Sequence, residues 1–228
     1  MTPLPPFTDE LYAQAKPLWD RQLQHPFVVG IGDGTLSEEI FKRWVRQDYL
    51  YLVDYARILA WAVAKADCLE SMSWYAHGLN LTLNTEMQLH RDYAKRFGIS
   101  RDELEQETMW PTNRAYTDFL IRNAADGDMA DLVAVLLPCA WGYAHIGTHL
   151  AANGLPADAR YADWIAMYSS AEFIETAEWL KAELNRLAAS ATDAKKKRLT
   201  RLFLLSSDYE YRFWEMCWHG ETATLADG

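Results

Sequence analysis

The chain has 228 residues, half of them hydrophobic and 24% charged, with 22 basic against 32 acidic side chains and a formal charge of −10. That length suits one sizeable core, and the composition is that of a soluble globular protein. The acidic balance argues against nucleic acid as a partner, which needs a clustered basic face. The one basic run, Lys195-Lys196-Lys197-Arg198, follows Asp193 and reads as a solvated helix start.

No stretch approaches the roughly 18 uninterrupted apolar residues of a membrane span. Met1 to Phe7 is proline-rich and lacks an export-signal pattern. Cys68, Cys139 and Cys217 are scattered and odd in number, so they fit neither a disulfide framework nor a C-x-x-C zinc site. The cytoplasm is the expected compartment.

Nearly every segment shows the 3.6-residue period and none alternates like a strand. A first helix is expected from about Thr8 to Gln24, with Thr8 as cap. His25-Pro26 to Gly34 carries a proline and three glycines and reads as a loop. Ser37-Glu38-Glu39 opens a helix to about Ala66, and another runs from about Asp67 to Phe97. Ser100 to Glu103 is a capping box. Helices follow over about Thr112–Ala125, Asp128–Ala152, Ala157–Met167, Ala171–Ala188 and Ala194–Trp218. The expectation is a single all-α domain, with a core of about residues 8–219 and short tails at 1–7 and 220–228.

Three places put polar groups on apolar faces. Leu136-Leu137-Pro138-Cys139-Ala140-Trp141-Gly142-Tyr143 lies within the most apolar segment, where a proline removes a helical hydrogen bond at a cost of about 3 kcal/mol. The stretch is either a kinked core helix with a buried thiol or a place for chemistry. Asp48 shares a face with Trp44, Tyr51 and Leu52, and a carboxylate there needs a partner. Glu210 shares one with Ser206, Ser207, Phe213 and Trp214. Two further pairs, Glu86 with His90 and His145 with His149, are spaced i, i+4. Facing each other they could hold metal in a bundle, but a di-iron site needs Glu-x-x-His at i, i+3, so they read as solvated or supporting histidines. His25, His77 and His219 read as structural, and Cys68 and Cys217 as buried structural thiols.

Taken in order, His25-Pro26-Phe27 with Gly30 to Gly34, Gln47-Asp48-Tyr49-Leu50-Tyr51-Leu52, Glu86 to His90, Leu136-Leu137-Pro138-Cys139 and Tyr209-Glu210-Tyr211-Arg212-Phe213-Trp214 resemble the TenA/thiaminase II family over about residues 8–219. The resemblance implies a haem-oxygenase-like bundle, a homotetramer, and no haem, metal or other cofactor. It implies hydrolysis in thiamin salvage: 4-amino-5-aminomethyl-2-methylpyrimidine becomes the 5-hydroxymethyl compound with loss of ammonia, and thiamin itself is a second candidate substrate. Carried onto this chain, Cys139 is the nucleophile, Glu210 the acid/base at the leaving group, and Asp48 the group that binds the pyrimidine nitrogens. Tyr51 and Tyr143 orient the thiol, while Tyr116, Tyr168 and Phe213 match ring-contacting positions. Ser169-Ser170 departs from the glycines common in relatives, which bears on pocket size.

The chemistry is coherent on its own terms. A thiolate adding to the ring carbon beside the substituted one lets the ring expel the amine, and ring and amine must each be protonated. A non-catalytic pyrimidine-binding or regulatory protein and a di-metal oxygenase on the same scaffold are the competing readings.

Overall fold

The computed structural model describes residues 5–222, which hold eleven α-helices and one π-helical turn and no strand. In chain order these are α1 (Phe7–Leu23), α2 (Pro26–Asp33), α3 (Glu38–Lys65), α4 (Leu69–Leu81), the π turn (Thr82–Glu86), α5 (Met87–Arg96), α6 (Arg101–Gln106), α7 (Pro111–Asp126), α8 (Met129–Ala152), α9 (Ala159–Tyr168), α10 (Ala171–Ala188) and α11 (Asp193–His219).

The bundle is built around α8. Seventeen of its 24 residues are buried, so it needs neighbours on every side, and α7, α9, α10 and α11 all pack on it. By length and composition alone α8 could cross a bilayer, but 83% of its most apolar window is covered by other helices. Its start is held twice. Asp128 and Asp131 form a reciprocal capping box, and Lys195 and Arg198 reach across from α11 to the same carboxylates. Two members of the basic run therefore clamp a helix end; the run is not simply solvated.

Four further expectations change. Thr8, expected to cap the first helix, lies inside α1, whose cap position is Pro6. The stretch around His25-Pro26 to Gly34, expected as a loop, is the helix α2. The His25 ring accepts the Phe27 N–H at 3.1 Å, Pro26 takes the first position, and Gly34 closes it with φ of 78°. The single helix expected over Asp67 to Phe97 is broken by the π turn. There Asn84 donates its side-chain amide to the Asn80 carbonyl, and such bonds compete with the regular ladder. Cys68, expected to be buried, is exposed and caps α4 through its sulfur, while Cys217 is buried.

Candidate active site

α8 runs unbroken through Pro138. Proline leaves the Ala134 carbonyl without its helical donor, and one residue on, the Ser206 hydroxyl of α11 donates to the Val135 carbonyl at 2.6 Å. The next turn of α8 presents Cys139, Ala140 and Tyr143 to a cavity of about 150 Å³. A hollow of that size is enough for one six-membered ring. Asp48, Tyr51 and Tyr55 of α3, Glu86 of the π turn and Tyr168 of α9 complete its inner wall; Trp74, His77, Phe173 and Trp179 lie on the α4 and α10 side.

Tyr168 reaches the wall because Gly147 has no side chain. A Cβ there would come within 2.6 Å of the Tyr168 carbonyl carbon, so glycine lets α9 close on α8. The Tyr168 ring then packs on Tyr143 with centroids 4.7 Å apart.

The electrostatics of the thiol follow from its surroundings. Burial pushes the Cys139 thiol well above its ordinary pKa, a negative charge on nearby Glu210 adds to this whenever that group is ionised, and the Tyr51 hydroxyl opposes it. The resting group is therefore the thiol. Tyr51 lies beside the sulfur, yet its buried hydroxyl has no hydrogen bond of good geometry. It is free to donate to a sulfur that becomes charged.

Glu210, 5% exposed on α11, is pushed by burial up to about 8. The Tyr116 hydroxyl donates to Glu210 Oε1 at 2.5 Å and lies 3.2 Å from Ser206 Oγ, whose own proton goes to the Val135 carbonyl. The Tyr116 donor lowers the Glu210 pKa, but by less than burial raises it.

Asp48 has a partner that the sequence did not reveal. His90 Nε2 is 2.6 Å from Asp48 Oδ2, and His90 Nδ1 is 2.9 Å from the Glu86 carbonyl. The carbonyl accepts, so Nδ1 holds a hydrogen, and the Nε2–Oδ2 bond shares one more proton. Burial would lower the His90 pKa, but the hydrogen bond to Asp48 and its charge outweigh this and raise it.

A family model described as TENA/THI-4/PQQC matches residues 12–220 of this chain. The chain belongs to that family. It is 43% identical to a Halalkalibacterium halodurans protein named aminopyrimidine aminohydrolase, over 93% of this chain and 96% of that one. A Bacillus subtilis protein of the same name is 34% identical over 94% and 91%. A solved TenA homologue from P. horikoshii superposes with a TM-score of 0.87 at 29% identity, covering 95% of this chain and all of that one. A haem-oxygenase-like domain from Shewanella denitrificans, 14% identical with a TM-score of 0.71, shows the same fold, over 93% of this chain and 92% of that one.

Within this TenA-type fold, the residues expected at the site are gathered in one place but in two layers. Asp48, Tyr51, Cys139, Tyr143 and Tyr168 are on the cavity wall. Glu210 stands behind Cys139. Tyr116 and Phe213 stand behind Tyr51, with ring centroids 5.3 and 6.0 Å from it, so their contact with a bound ring passes through Tyr51. Two wall residues were missed as site groups: His77, taken as structural, and Glu86, noticed only as one of a spaced pair with His90, which stands behind the wall and acts through Asp48. The two histidine pairs do not converge. The His90 ring is occupied by Asp48 and the Glu86 carbonyl, and His145 packs on Tyr12 and Trp19.

Proposed function

We propose that this chain is an aminopyrimidine aminohydrolase of thiamin salvage. It would convert 4-amino-5-aminomethyl-2-methylpyrimidine and water to the 5-hydroxymethyl compound and ammonia, with thiamin as a second candidate substrate. One observation carries the reading: a ring-sized aromatic cavity has a thiol on its wall, flanked by the high-pKa carboxyl of Glu210 and by the proton-sharing Asp48–His90 pair. The names of the relatives from H. halodurans and B. subtilis support it.

In the proposed mechanism Asp48 binds the ring nitrogen and the neighbouring amino group and passes its shared proton to the ring. The Cys139 sulfur adds to the ring carbon beside the substituted one. Its proton goes to Glu210, which at pH 7 is ionised in about one molecule in ten with a pKa of about 8. A carboxylate of so high a pKa is a stronger base than an ordinary one. The ring electrons expel the amine, which leaves as ammonia, and an exocyclic methylene remains on the ring. Water adds to the methylene, the C–S bond breaks, and the aromatic ring and the thiol are restored. Glu210 handles the proton at the thiol and the leaving group, a role typically worth about 10²–10⁴ in rate. Tyr51 and Tyr143 orient the sulfur, and Tyr168 packs on the ring; Tyr116 and Phe213 support Tyr51.

Ammonia release from the aminomethyl pyrimidine tests the reading. Cys139→Ser is expected to abolish it, and full activity in that variant would overturn the nucleophile assignment. We also infer self-association to a homotetramer, supported by the exposed apolar side chains of Trp61, Leu69, Met72 and Leu83 on α3, α4 and the π turn. Sedimentation as a monomer would refute it.

A further inference from the structure

Glu86 has no part in the proton-handling described above, yet its side chain lies on the cavity wall with Asp48 and Cys139. It is set there by the π turn, a single wide turn in an otherwise α-helical run, and such insertions re-aim side chains at functional sites. Its polar neighbours are the Thr82 hydroxyl, His90 and Asp48. No lysine or arginine lines the cavity among the described residues.

The charges can be counted. Asp48 and His90 share one proton and are neutral as a pair wherever it sits. Cys139 and the tyrosines on the wall are neutral, and Glu210, behind the thiol and off the wall, is kept mostly protonated by burial. Glu172 and His77, the other acidic and basic groups of the lining, are both exposed and lie at the rim, away from the inner wall. The inner wall is left with one carboxyl that has no counter-charge, in a cavity whose lining also includes the aromatic rings of Tyr55, Trp74 and Trp179, side chains that favour a cation.

We infer that Glu86 is a specificity-determining residue: its carboxylate holds the positive charge on the substituent that the reaction removes, so that the cavity takes cationic 5-substituted pyrimidines in preference to neutral ones. This rests on the pyrimidine reading above. A primary alkylamine is an ammonium ion near neutral pH, whereas the hydroxymethyl product is uncharged. The same carboxylate that retains the substrate therefore has nothing to hold in the product, which favours turnover over product inhibition. Burial raises the Glu86 pKa to about 7, and a bound ammonium would bring it down.

The test uses the full chain carrying Cys139→Ser, so that ligands bind without turning over, and measures affinity by calorimetry at pH 7.5 for the aminomethyl and hydroxymethyl pyrimidines. Adding Glu86→Gln is expected to weaken the aminomethyl compound about tenfold or more, the usual scale for a charge-assisted hydrogen bond. Affinity for the hydroxymethyl compound should stay within about twofold, which also shows that the variant is folded. An equal loss for both ligands, or no loss for either, overturns the role of Glu86. So does selectivity that disappears with Glu172→Gln instead. If neither compound binds even with Glu86 intact, the pyrimidine reading itself falls and the inference with it.

Discussion

Replacing Glu210 by glutamine is expected to make the protein more stable and inactive, with a stability gain that grows with pH. Glutamine matches the protonated acid in shape and keeps a side-chain oxygen to accept from the Tyr116 hydroxyl. The carboxyl has a pKa of about 8 in the folded chain against 4.5 for an ordinary glutamate. Because the folded value is the higher one, its contribution to stability is fully present below pH 4.5 and is lost as pH rises through 8. At pH 7 the loss is about 3 kcal/mol, and above pH 9 it approaches about 5 kcal/mol. In a chain of this size each kcal/mol moves Tm by about 2–4 °C. Thermal denaturation of wild type and Glu210→Gln should coincide near pH 5 and differ by about 10 °C near pH 8.5, the variant melting higher. Ammonia release by the variant should be lost. A Tm gap of the same size at every pH would refute a buried, protonated Glu210.

Tyr51→Phe removes a hydroxyl that has no hydrogen-bond partner, so stability should change by less than about 0.5 kcal/mol while ammonia release falls tenfold or more; a large loss of stability in urea unfolding would refute this. His90→Asn strands the buried Asp48 carboxylate and should cost about 3–5 kcal/mol. Adding Asp48→Asn should recover much of that in the same urea assay, a non-additivity that two independent sites would not show. Gly147→Ala drives a methyl to within 2.6 Å of the Tyr168 backbone. It should cost about 1–3 kcal/mol and raise KM for the aminomethyl pyrimidine, since Tyr168 leaves the wall. Alkylation of Cys139 by iodoacetamide should be slow at pH 7 and still rising at pH 9, because burial holds the thiol above its ordinary pKa. Saturation of the rate below pH 8 would contradict that.

What could be read along the chain is what local forces decide. The helical period, the Ser100 and Asp128 capping boxes and the apolar run of α8 each involve residues within a few turns of one another. The same logic turned Asp48 and Glu210 inward before any contact was visible, because a helix face is set by spacing alone. Where spacing misled, a local rule met a competing one. Glycines suggested a loop at α2, but a histidine cap and a proline at the first position started a helix. Asn and Thr residues inside an amphipathic run opened a π turn. The pairing of Asp48 with His90 joins residues 42 apart, and the chain from Glu210 through Tyr116 and Ser206 to Val135 joins three helices. No period encodes such pairs. The raised pKa values of Cys139, Glu210 and Glu86 have the same origin, since desolvation depends on every element that closes over a group. The order of residues along the chain supplied the reactive groups and the faces that carry them. Packing chose which carboxyl keeps a proton, which is held by an imidazole, and which is left facing the cavity with a charge to share.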